Sequence, residues 1–143
     1  MKKNFLLSLV MMLTLACFTA CEKSVSVTSD ELVGEWLLTD YQISYSYGSE
    51  SSVIDYPNPG LVYDFAEDGT LTATEEGGSV AFQSTWEVKG NKLIMRELNE
   101  ELATQGRLKE WTFTEFANGK MSLTTTESQP GYSETYLYHF TKQ

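Results

Sequence analysis

Two cysteines and one histidine are all that the chain has of the side chains that grip soft metal ions. A zinc site takes three or four such ligands, and Cys17, Cys21 and the distant His139 do not supply a plausible set, so no metal and no cofactor is expected. Positive charge is scarce as well. Ten basic residues stand against 20 acidic ones, for a formal charge of −10, and a phosphate backbone repels a surface of that sign, which excludes nucleic acid as a partner. Neither a glycine-rich phosphate loop nor a nucleophile elbow occurs. A Ser-His-acid set would have to use His139, and alternation in Tyr138-His139-Phe140 turns the imidazole to the face opposite the two rings. The pairs Glu75-Glu76 and Glu100-Glu101 are adjacent, so their carboxylates point apart instead of flanking a scissile bond. No catalytic residue is named, and the chain is not expected to be an enzyme.

Long apolar runs are absent after residue 20. The one that exists, residues 5 to 20, follows Lys2-Lys3-Asn4 and is short for a membrane-spanning helix, which needs about 20 residues. A basic start, an apolar middle and small residues before a cysteine are the layout of an export signal. Both cysteines lie at its end, in "LACFTACEKS", where a disulfide would be cut apart by cleavage. Phe18-Thr19-Ala20-Cys21 resembles a bacterial lipobox, and the resemblance implies a diacylglycerol thioether on Cys21 as the new N-terminus. Thr14-Leu15-Ala16-Cys17 is a weaker version of the pattern, and ordinary secretion is the third alternative. The expected division is therefore a signal peptide over 1–20, a lipidated N-terminus and tether over 21–30, and one folded domain over 31–143. Such a protein is an exported, membrane-anchored lipoprotein of the bacterial cell envelope, placed at the outer membrane on its periplasmic or surface face, with inner-membrane retention left open. Several acyl chains hold far more firmly than one, and a tether this short keeps the domain near its membrane.

Thr28-Ser29-Asp30-Glu31 reads as a capping box opening one helical turn. From there the chain alternates with period two and is rich in Val, Ile, Thr, Tyr, Phe and Trp, the pattern of strands with one buried face. Eight strands are expected, at 34–46, 61–66, 70–76, 80–89, 92–98, 109–116, 119–127 and 132–142. Glu67-Asp68-Gly69, Lys89-Gly90-Asn91 and Ala117-Asn118-Gly119 are tight hairpin turns. Asn99 to Gly106 breaks the alternation and reads as a short helix between strands five and six. Eight sequential strands joined by hairpins close into an all-β, single, up-and-down antiparallel barrel, since closure removes exposed edges.

The pattern L-x-G-x-W at 32–36, F-x-x-D-G-T at 65–70, W-x-V-x-G-N-K-L at 86–93, W-x-F at 111–113 and Y-x-F-x-K at 138–142 resembles the lipocalin-like, calycin-type domains of small Bacteroidetes-type lipoproteins. That likeness implies a ligand-holding barrel. In lipocalins an arginine near the last strand packs over the first tryptophan; here the last strand offers His139 and Lys142.

In a meander the links alternate between two ends. The three tight turns share an end with Trp36 and make a floor, structurally marked by Gly34, Trp36, Trp86 and Phe140. The opposite end, with links at 47–60, 77–79, 99–108 and 128–131, makes a mouth. Ile43, Tyr63, Phe82, Met95, Trp111, Leu123 and Tyr136 fall toward the mouth on the inward face and are the candidate ligand-binding residues. An eight-stranded interior either fills with its own side chains or holds one small ligand. Glu50, Asp55, Glu76, Glu97, Glu100, Glu101 and Glu127 rim the mouth against Arg107 and Lys109, a field that disfavours anions. The function expected is the capture of a small apolar or amphipathic molecule, neutral or cationic. The alternative is a solid barrel serving as an interaction module, inhibitor or accessory subunit for an envelope protein, through its acidic loops and above all residues 46 to 60.

Overall fold

Thr28 and Glu31 close a capping box, in which the Glu31 carboxylate accepts from the Thr28 backbone N–H and hydroxyl at 2.8 Å each. Those bonds hold the Glu31 carboxyl below its usual range. They start helix α1 (Ser29–Leu32), a single turn whose Leu32 is completely buried. The computed structural model describes residues 25–98 and 108–143. After α1 the alternating segments form β1 (Gly34–Tyr47), β2 (Glu50–Phe65), β3 (Thr70–Glu75), β4 (Val80–Lys89), β5 (Lys92–Glu97), β6 (Leu108–Ala117), β7 (Lys120–Gln129) and β8 (Tyr132–Lys142). They pair in sequence order, all antiparallel, and β8 returns to β1 to close the barrel. This is the architecture that the resemblance implied.

The floor is packed from within and plugged from below. Trp36, Phe65, Leu71, Leu93, Met121 and Phe140 are buried on the inner wall. The Trp36 indole N–H donates to the Leu32 carbonyl at 2.8 Å, which fastens α1 across the end of the barrel. Lys142 packs its ammonium 5.2 Å from the centre of the Trp36 ring and donates to the Glu31 carbonyl at 3.1 Å. A lysine therefore stands where the resemblance put an arginine. The hairpin Asn118-Gly119 needs left-handed backbone at both positions, with φ of 54° and 71°, which Asn and Gly supply at least cost.

The other end departs from expectation. Residues 47–60 are not a long loop: β1 turns at Gly48-Ser49 and β2 runs back in register, Tyr47 opposite Glu50 through Asp40 opposite Pro57. "PNPG" at 57–60 reads as a breaker in sequence, yet from Glu50 to Pro59 β1 is the only strand beside β2 among the described residues, and a proline at an open edge removes no ladder bond on that side. The link after β7 is likewise the two residues 130–131. The expected helix at Asn99–Gly106 lies outside the described residues, as do Cys17, Cys21, Glu100, Glu101 and Arg107.

A bulge sets the geometry above the floor. Leu38 faces Phe140 and Asp40 faces His139, so Thr39 is an extra residue in β1; its hydroxyl donates to the His139 carbonyl at 3.0 Å. Before Thr39 the even positions Trp36 and Leu38 point inward. After it the odd positions Tyr41, Ile43, Tyr45 and Tyr47 do, because one inserted residue inverts the pleat.

Candidate functional site

Above the packed floor, β2, β1, β8 and β7 continue as a four-stranded wall beyond the ladders that β3 and β6 make with them. The β2 to β3 pairing begins at Leu61 and Glu75, and the β6 to β7 pairing ends at Thr112 and Thr124. Register puts every tyrosine of the chain on the inward face: Tyr41, Tyr45 and Tyr47 from β1, Tyr56 and Tyr63 from β2, and Tyr132, Tyr136 and Tyr138 from β8. The rings make a continuous surface. Tyr41 stacks on Tyr56 with centroids 4.4 Å apart and planes 8° from parallel, and meets Tyr138 at 5.2 Å. Tyr138 meets Trp111 at 4.6 Å. Deeper, Tyr63 touches Phe82 at 5.4 Å and Phe140 at 5.0 Å.

Polar groups interrupt this surface at one place. The Glu134 carboxylate accepts hydrogen bonds from the hydroxyls of Tyr132 and Tyr136. Those two bonds, followed by the nearby Lys109 charge, hold the Glu134 carboxyl below its usual range. The same bond raises the Tyr132 phenol to about 12, and Tyr136 moves up for the same first reason. Lys109 on β6 extends its ammonium to 3.1 Å from Glu127, 4.3 Å from the centre of the Tyr136 ring and 5.0 Å from that of Trp111. Burial lifts the Tyr138 phenol to about 12 and drives that of Tyr63 higher still.

The seven candidate ligand residues fall at three depths on this face. Tyr63, Trp111 and Leu123 are buried in the core. Phe82, Met95 and Tyr136 are half-buried against it. Ile43 lies farther out, opposite Tyr136 and the exposed Ile54. Sequence reading overlooked Tyr41, Tyr45, Tyr56, Tyr132 and Glu134, although Y-x-I-x-Y-x-Y at 41–47 and Y-x-E-x-Y-x-Y at 132–138 carry the signal of one tyrosine-bearing face. The Tyr138 ring joins floor to mouth through Phe140, Trp111 and Tyr41. Two buried polar atoms, Ser84 Oγ and Trp111 Nε1, have no hydrogen-bond partner among the described residues. Both residues belong to the inward face, which is where a guest molecule or water would meet them.

The outer face holds a polar row that sequence reading did not assemble. Asp40, His139, Ser122 and Glu115 are successive register partners on β1, β8, β7 and β6. His139 Nδ1 lies 2.8 Å from Ser122 Oγ, which donates to Glu115 at 3.1 Å. The residue types are those of a hydrolytic triad, but the geometry differs. His139 and Asp40 stand 3.9 Å apart, beyond hydrogen-bond reach, and Ser122 is only 3% exposed with its hydroxyl engaged by Glu115. The row ties four strands together across the outside of the barrel.

Among the described residues no cluster of three or more metal-ligating side chains occurs, and no helix is long and apolar enough to cross a membrane. The chain matches no protein-family profile and no curated protein sequence. Among solved structures it is similar to a lipocalin-like protein from Bacteroides uniformis, at 18% identity over 79% of this chain and 99% of that one, with a TM-score of 0.44.

Proposed function

We propose that the protein is a lipid-anchored envelope lipoprotein whose barrel binds a small apolar or amphipathic molecule, neutral or cationic. The observation that carries this reading is the division of the inner face. A floor of buried side chains supports a wall of half-exposed rings from Tyr41, Tyr45, Tyr56, Tyr132, Tyr136 and Tyr138. Rings in that state offer large apolar area with polar tips, the composition of binding sites that fix a ligand by a few polar contacts. The unpartnered Ser84 and Trp111 atoms support it, since a buried orphan donor or acceptor is a cost that a guest can remove. Binding is preferred to catalysis because Ser122, the serine whose hydroxyl meets His139, is buried and its hydroxyl is shared with Glu115.

Anchoring rests on the sequence around Cys21. Metabolic labelling with an alkyne fatty acid should mark the protein and fail on Cys21→Ser; labelling that persists in that variant and is lost in Cys17→Ser moves the anchor. The binding reading is tested by native mass spectrometry of the domain released from its own membrane by cutting the tether. A reproducible small-molecule adduct that weakens in Tyr41→Ala and Tyr56→Ala supports it, and an adduct-free domain counts against it.

A second reading, a protein-interaction module, is favoured by the tip of the β1 and β2 hairpin, where Tyr47, Val53 and Ile54 are 70%, 56% and 43% exposed. A co-purifying protein lost on Val53→Asp would turn the assignment toward it.

A further inference from the structure

The inward face of the mouth carries a lysine, set among tyrosines and beside Glu127 and Glu134. We propose that the Lys109 ammonium is a built-in occupant of an organic-cation site, and that an external alkylammonium group displaces it. The inference rests on the binding reading above and specifies its ligand class.

Four groups converge on that ammonium. Tyr136 and Trp111 present ring faces at 4.3 and 5.0 Å, the arrangement by which aromatic sites attract cations. Glu127 lies at 3.1 Å, and Glu134 feels the same positive charge across the wall. Glu127 and Glu134 are direct cross-strand partners. Like charges directly opposed weaken a sheet, so a cation held beside them removes a repulsion that the strands would otherwise carry. The Tyr132 and Tyr136 hydroxyls in turn fix the Glu134 carboxylate, so the acidic wall is pre-set and the lysine stem is its flexible member.

The lysine has somewhere to go. Beyond Thr112 and Thr124 the β6 to β7 ladder stops, and a groove of about 350 Å³ opens there, lined by Lys109, Glu127, Lys92, Glu110, Thr125 and Thr126 among others. The Lys109 stem can withdraw its ammonium from the rings into this groove while a guest ammonium takes the place it leaves. A ligand with a quaternary or tertiary ammonium head and a flat or apolar body would put the head here and lay the body on Tyr138, Tyr41 and Tyr56.

The test uses benzyltrimethylammonium and its uncharged isostere neopentylbenzene as probes, by calorimetry and by the indole NMR signal of Trp111, on the folded domain. Lys109→Met keeps the stem and removes the charge. It is expected to tighten benzyltrimethylammonium by about tenfold, the scale of a desolvated cation–π contact, and to leave neopentylbenzene unchanged. Adding Glu134→Gln to that variant should reverse most of the gain. Unchanged or weaker cation binding in Lys109→Met, or an equal gain for the isostere, overturns the proposal and leaves Lys109 a structural bridge to Glu127. Lys109→Gln, checked by its melting curve, guards against a misfolded variant. A neutral dye, N-phenylnaphthylamine, separates the two levels. If the dye binds and the cation does not, the barrel reading stands and the cation site falls; if neither binds, the barrel reading falls first.

Discussion

The two ends of the inner face use aromatic residues for opposite purposes. At the floor, Trp36, Phe65 and Phe140 are at most 2% exposed and are locked by a plug, the α1 turn with Lys142 across it. At the mouth the rings are tyrosines, half-exposed, on a wall where, among the described residues, no strand flanks β2 on the side away from β1. Phenylalanine and tryptophan do the work of burial where water is excluded; tyrosine serves where one edge of the ring stays wet. Stability should therefore reside in the lower half and recognition in the upper.

Substitutions can break that contrast or sharpen it. Trp36→Ala should have the largest effect, a loss of about 3 to 5 kcal/mol in urea unfolding, because it opens a cavity and releases α1. Any adduct retained by the molecules still folded would show that the floor serves no recognition role. Gly119→Ala should cost about 1–2 kcal/mol, since a Cβ is strained at φ of 71°, again with no effect on binding. Tyr56→Ala removes a stacked partner of Tyr41 and should cost about 0.5–1.5 kcal/mol while weakening ligand retention. A full loss of folding from that single change would mean the mouth is core after all.

The smallest effect is a titration. In Glu134→Gln the Tyr132 phenol, raised to about 12 by its bond to that carboxylate, should ionise closer to the ordinary value near 10, as read from phenolate absorbance. The sign of the linkage follows. A phenol raised on folding stabilises the native state below its unfolded value and loses that contribution as pH climbs through about 12. The lowered Glu134 carboxyl stabilises above its unfolded value and loses the contribution as pH falls. The variant should therefore show weaker pH dependence at both extremes.

Most of the barrel was legible in sequence because period-two alternation and hairpin turns are local signals. Gly90-Asn91 and Asn118-Gly119 mark turns by backbone need alone, and the Thr28 to Glu31 capping box by spacing. The upper wall was not legible, for two physical reasons. Pro57 and Pro59 signal a loop locally, and their tolerance at an open edge depends on which strand is missing beside them, a fact of tertiary pairing. The bulge at Thr39 has no residue signature, and strict alternation from Trp36 would turn Tyr41 and Tyr45 outward, so of the inward set of β1 past Leu38 only Ile43 was named. The polar row from Asp40 to Glu115 was invisible for the same reason, since four strands must be in register before its members meet.

Thr39 also has a consequence for how the gene can change. It acts as a parity switch: lose that one codon and the same string from Asp40 to Tyr47 presents its polar set to the cavity and its tyrosines to solvent, with every residue type intact. Substitutions along β1 can accumulate one at a time, but a single-codon deletion between Trp36 and Tyr41 is a frameshift of the pleat. Lineages descending from this chain should vary in the letters of that segment and keep its length.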